Sequence, residues 1–174
     1  TIQPMAGWPL FELFDTEPAV RLDLGELERA FKNLQRKLHP DLFHQRSEEE
    51  QELSAANSAL VNAGYQTLRH PLERVKYLLS LHGIEVLAET AGTISDPTLL
   101  MEVMEIRDEI STCTSGAALR KLADANAARL EALMEALERH YGAGDYGAIG
   151  DSAIELQYFS KIEEEISLRA DVVG

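Results

Sequence analysis

The chain has 174 residues, 45% apolar and 26% charged, a balance that suits one or two packed domains rather than a disordered chain. With 16 Lys and Arg against 30 Asp and Glu, the formal net charge is −14, which argues against a nucleic-acid binder over the whole surface. No run approaches the roughly 18 apolar residues of a membrane span, and Cys113, the single cysteine, excludes an intramolecular disulfide and a multi-thiolate metal site. One cysteine also points to a reducing compartment. Thr1 rather than Met stands first, so the sequence is silent on a targeting segment.

Helical periodicity recurs along the chain and period-two alternation is absent, which predicts an all-α fold. A short helix fits Trp8 to Phe14. A second begins after Asp23, with Leu27, Ala30, Phe31, Leu34 and Leu38 on one side and Arg29, Lys32 and Arg36 on the other. Pro40 lacks an N–H and restricts the residue before it, so this helix stops near His39. Ser47 opens a third helix, because Ser47 and Glu50 have the spacing of a capping box. Its expected inward stripe is Leu53, Ala56, Asn57, Leu60, Gly64 and Leu68. Pro71 suits the first turn of a fourth helix, which carries Leu72, Val75 and Leu79 and ends near Gly83.

Residues 84–95 show no clear period and read as a connection between domains. Asp96-Pro97 then starts a helix that runs to about Ile110. Another is expected from about Gly116 to Tyr141, with Leu119, Leu122, Ala123, Leu130, Leu133, Met134 and Leu137 on one face. Gly142 and Gly144 break it. The last helix runs from about Asp145 to Ala170, with Ile154, Tyr158, Ile162 and Ile166 inward. Charge is unevenly shared: residues 1–83 carry 9 basic and 12 acidic side chains, and residues 84–174 carry 7 and 18. Two helical modules with different electrostatics suggest two different partners.

The helix after Asp96 has more apolar residues than one buried face needs. Leu99, Val103, Ile106 and Ile110 form the expected core stripe. Leu100, Met101 and Met104 occupy a neighbouring face, with Glu105 and Asp108 beside them. A helix buried on two sides explains this, and so does an exposed protein-binding patch. A small three-helix bundle does not readily cover two faces of one helix, and adaptable Met side chains rimmed by carboxylates suit a partner. Phe159 lies at the edge of its helix's inward stripe, a position compatible with core, surface, or both.

His39-Pro40-Asp41 closes the second helix beside its basic face. Proline stiffens the corner, so imidazole and carboxylate lose little freedom on docking. Alone, the tripeptide is equally an ordinary helix-ending turn. Its setting shifts the balance: an amphipathic helix with segregated charge before it, a capped helix after it, and a short helix upstream. That arrangement resembles the J domain of DnaJ-type co-chaperones. The segments LQRKLHPDLFHQRSEEE (34–50), YQTLRHPLERVKYLLSLHGIE (65–85), DPTLLMEVMEIRDEI (96–110) and YFSKIEEEI (158–166) narrow the resemblance to the HscB family of iron–sulfur co-chaperones, over about residues 8 to 170.

The resemblance implies a J domain over residues 8–83 after an N-terminal tail of residues 1–7, a linker over 84–95, and a three-helix scaffold-binding bundle over 96–174. It implies that His39, Pro40, Asp41, Arg29, Lys32 and Arg36 face a DnaK-type chaperone and stimulate its ATPase. Leu100, Met101, Met104, Glu105, Asp108 and Phe159 would bind an IscU-type scaffold. Family members often have a longer carboxylate at the position of Asp108 and an acidic residue at that of Thr112. No catalytic site, cofactor, metal, nucleic acid or membrane partner is expected, and the sequence holds no G-x-x-x-x-G-K-[ST] loop for ATP. His39 and His44 do not align as ligands, because Pro40 places them on a turn. The alternative function is a general J-domain co-chaperone for unfolded clients. The segments HPDLFHQRS and DPTLLMEVMEIRDEIS resemble mitochondrial members most, which implies the mitochondrial matrix, with a bacterial cytoplasm as the alternative.

Overall fold

The structure, a computed structural model, describes residues 3–85 and 96–173. Every regular element among the described residues is helical: α1 (Leu10–Leu13), α2 (Leu24–Leu38), α3 (Glu48–Arg69), α4 (Pro71–Ser80), α5 (Pro97–Thr112), α6 (Gly116–Gly142) and α7 (Tyr146–Val173). A 3-10 turn over Pro40–Leu42 lies between α2 and α3. The chain divides into two compact units, residues 1–78 and 79–174. The division falls inside α4, whose last two residues group with the second unit. Of the expected linker, residues 86–95 lie outside the described residues.

In the first unit, local chemistry sets the helix ends. Asp23 caps α2 by accepting the Glu26 N–H at 3.0 Å, and Ser47 caps α3 by accepting the Glu50 N–H at 3.3 Å. Helix α1 is shorter than expected. Pro9 sits at its N-cap, and Asp15 turns left-handed at φ 52°, so that the Thr16 N–H closes onto the Phe11 carbonyl at 2.9 Å.

The predicted stripe of α2 faces inward, with Leu27 and Leu38 buried and Ala30, Phe31 and Leu34 half-buried. Helix α3 departs from its predicted stripe. Ser54, Asn57, Val61, Gly64 and Leu68 are buried, Leu53 and Leu60 are half-buried, and Ala56 is exposed. Two polar residues lie inward because backbone groups there need partners. Ser54 Oγ donates to the Leu38 carbonyl at 2.8 Å. Asn57 accepts the Met5 N–H at 3.0 Å and donates to the Gln3 carbonyl at 2.8 Å. Gly64 lets α1 lie close, since a Cβ there would stand 3.0 Å from Leu10 Cδ2 and 3.2 Å from Phe14 Cε2. Arg74 of α4, 4% exposed, donates to the Val20 and Leu68 carbonyls at 2.7 Å each. Burial, with the charge of Arg21, holds its guanidinium pKa below the usual value.

In the second unit α6 and α7 pair along their length, and α5 lies mainly against α7 and less against α6. Val103 and Ile110 of α5 share a core with Leu119 and Leu133 of α6 and with Ile162 and Ile166 of α7. Arg169 fastens the end of α5 by donating two bonds to the Cys113 carbonyl, at 2.9 and 2.6 Å. Gly144, at φ 70°, makes the turn between α6 and α7. The buried face of α7 passes from Ile149, Ala153 and Leu156 to Phe159, Ile162 and Ile166, while Ile154 and Tyr158, expected inward, are half-buried. Residues after α4 join this unit through His82, whose ring stacks on Tyr146 at 4.1 Å and meets Tyr141 edge-on at 5.9 Å.

Candidate functional site

The first candidate surface is the corner after α2. Helix α2 ends at His39, and Pro40 opens the 3-10 turn, in which the Leu42 N–H bonds to the His39 carbonyl and the Phe43 N–H to the Pro40 carbonyl, both at 2.9 Å. His39 Nδ1 accepts the Asp41 N–H at 3.3 Å, which leaves the proton of the neutral ring on Nε2. Asp41 Oδ2 lies 3.5 Å from the same Nδ1. Ser54 holds the last carbonyl of α2 from below. The corner is thus fixed through its backbone, yet the side chains of His39 and Asp41 are 59% and 88% exposed.

The basic face of α2 is exposed beside this corner, but its cations differ in their partners. Lys32 pairs with Glu28 at 2.7 Å and Arg29 with Glu26 at 3.6 Å. Arg36 has no carboxylate partner among the described residues, and with Lys32, Gln35, His39, Pro40 and Ser58 it lines a cleft of about 420 Å³. The hydrogen bond and charge of Lys32 hold the Glu28 carboxyl below its usual range, and Arg69 adds to this. Sequence reasoning missed Arg69. It reaches this face from α3, its guanidinium 5.6 Å from the Tyr65 ring centre, and Tyr65 stacks on Phe31 of α2 at 4.0 Å. A cation on another helix, far from the corner in sequence, leaves no local pattern to find.

The second candidate surface is on α5. Val103 and Ile110 are buried, and Leu99 and Ile106 are half-buried. On the neighbouring face Leu100 is 40% exposed and Met101 and Met104 are each 62% exposed. Glu105 and Asp108 are exposed beside them. Thr112 bonds back to the Asp108 carbonyl at 2.9 Å, so the rim lacks a carboxylate there. Phe159 is a correction: at 2% exposure it belongs to the core and does not present its ring at this surface. It sits inward because the later part of α7 is covered by both α5 and α6. The Arg129 guanidinium lies 4.7 Å from its ring centre.

Among the described residues no group of three or more His, Cys, Asp or Glu side chains converges as a metal site would, and no helix is long and apolar enough to cross a membrane. The chemistry both surfaces offer is recognition. A charged, stiff corner suits a polar partner, and an apolar face rimmed by carboxylates suits a second protein.

Known proteins combine these features. A family model described as the HSCB C-terminal oligomerisation domain matches residues 95–167. The human protein described as iron-sulfur cluster co-chaperone protein HscB is 35% identical over 159 residues, covering 91% of this chain and 67% of its own length. The crystal structure of human co-chaperone protein HscB superposes with a TM-score of 0.88 at 34% identity, covering 95% of this chain and 83% of that one. Chaperone HscB from Vibrio cholerae superposes with a TM-score of 0.83 at 31% identity, covering 95% and 99%. The fold is therefore that of an all-α co-chaperone, an N-terminal J domain joined to a C-terminal three-helix bundle. The chain belongs to the HscB family of iron–sulfur cluster co-chaperones.

Proposed function

We propose that this chain binds an IscU-type scaffold protein and delivers it to a DnaK-type chaperone whose ATP hydrolysis it stimulates. Residues 8–83 act as the chaperone-facing domain and 96–174 as the scaffold-facing domain, with 84–95 joining them. His39, Pro40 and Asp41 make the short-range chaperone contacts, and Arg29, Lys32 and Arg36 steer the encounter. Leu100, Met101, Met104, Glu105 and Asp108 receive the scaffold. One observation carries the reading: three large apolar side chains of α5 stand in solvent on a helix whose other face already fills the core.

The mechanism is geometric. Holding scaffold and chaperone on one chain raises the effective concentration of client at the chaperone. The corner favours the hydrolysis-competent state of the chaperone by binding that state more tightly than the resting one. No reaction takes place on this chain. Steady-state ATPase of the chaperone, with and without this protein and scaffold, tests the reading. Wild type raises the rate and His39→Gln does not; equal stimulation by both contradicts it. The compartment is the mitochondrial matrix on the sequence resemblance, with a bacterial cytoplasm as the alternative. Fractionation of the source cells decides between them.

A further inference from the structure

Helix α6 carries Ala125, Ala128 and Ala132 along its α5 side, and these small residues leave a groove of about 370 Å³. Ile106, Leu122 and Phe159 make its wall apolar. Asn126, 6% exposed, also lines it. Its Nδ2 donates to the Phe159 carbonyl at 3.1 Å, which fixes the orientation of the amide, since a carbonyl accepts only from the nitrogen. Oδ1 is left buried with no donor among the described residues. A buried acceptor without a donor is unfavourable and marks the groove as incomplete.

Charge at the groove selects what completes it. Arg129 pairs with Glu102 at 3.5 Å and with Glu155 at 3.3 Å. Two carboxylates against one guanidinium disfavour an anion, and the apolar wall makes burying an ammonium costly, so the free acceptor suits a neutral donor. Position selects the source. Going round α5 at the helical period, Met101, Glu105, Glu102 and Ile106 follow one another, so a protein that covers Met101 reaches the groove past Glu105 and Glu102, while Met104 stands on the other side of Met101. The α5–α6 seam is the lesser of α5's two packing contacts. Asn126 Oδ1 has no surface open to solvent as the helices stand, so a donor reaches it only as this seam opens, which leaves the α6–α7 pairing in place.

We propose that the groove receives one aromatic side chain of the scaffold, a tyrosine or tryptophan, whose ring packs on the apolar wall and whose O–H or N–H bonds to Asn126 Oδ1. The inference rests on the scaffold docking proposed above and extends that surface from α5 onto α6. Titration calorimetry of the intact protein with an IscU-type scaffold tests it, using wild type, Met104→Ala and Ala128→Leu. Ala128 is exposed, so leucine there fills the groove without entering the core, and Ala132→Leu repeats the test should that variant fold poorly. The groove variant loses about tenfold in affinity or more, and in wild type the Asn126 side-chain amide resonances shift when scaffold is added. Weakening by Met104→Ala alone, or unmoved Asn126 resonances in a bound complex, overturns the groove and leaves the docking reading standing. Full affinity in both Met104→Ala and Ala128→Leu overturns the two together.

Discussion

Truncating Met104 to alanine separates a docking patch from an internal one. Complete burial of a methionine side chain stabilises by roughly 1.5–3 kcal/mol. Met104 has 62% of its surface in solvent, so covering that exposed part with a partner contributes about 1–2 kcal/mol. Met104→Ala therefore lowers scaffold affinity about 5- to 30-fold. Because the smaller part of the side chain packs within the bundle, the same change moves the unfolding free energy by about 1 kcal/mol or less. Titration calorimetry at fixed salt measures the first quantity and urea denaturation the second. The reasoning is refuted by unchanged affinity, and equally by a stability loss of several kcal/mol, which would place Met104 in the core.

Three further outcomes follow from the first unit. Gly64→Ala gains about 1 kcal/mol in helix propensity but sets a Cβ against Phe14, which is buried and cannot step aside. The net effect is a loss of about 1 kcal/mol, read by urea denaturation. Arg74→Met leaves the Val20 and Leu68 carbonyls without their donor and costs about 2–4 kcal/mol, measured in the same way. The Glu28 carboxyl is held below its ordinary value of 4.5 by Lys32. Its support for α2 is therefore present above that pH and is lost as pH falls through the lowered folded-state value. Carbon-13 NMR titration of Lys32→Gln shows Glu28 moving back up; an unmoved Glu28 contradicts the pairing.

The features legible in the sequence were those written in local chemistry. Asp23, Ser47 and Asp96 cap their helices as their spacing predicts, and Pro40 stops α2 at His39. The surplus apolar face of α5 was also visible, because 100° per residue separates Leu100 and Met104 from Val103 and Ile110. What escaped depends on distant partners. Asn57 lies inward as expected, but Ser54 is buried to satisfy the end of α2, and a stripe counted mainly on apolar residues leaned toward Ala56 instead. One fixed face described α7 poorly, because its neighbours change along its length. Arg129 meets Glu102 and Glu155 across 27 and 26 residues, a separation no local pattern records.

The account stands on both handles acting from a single chain. Its most direct test is complementation in trans. A His39→Gln chain, with only the α5 surface intact, is mixed with a Leu100→Ala/Met104→Ala chain, with only the corner intact. Chaperone ATPase is then measured with scaffold present. The account predicts that the mixture stays well below wild type at equal concentration, because neither chain brings scaffold and chaperone together. Restoration of the full wild-type rate would contradict it.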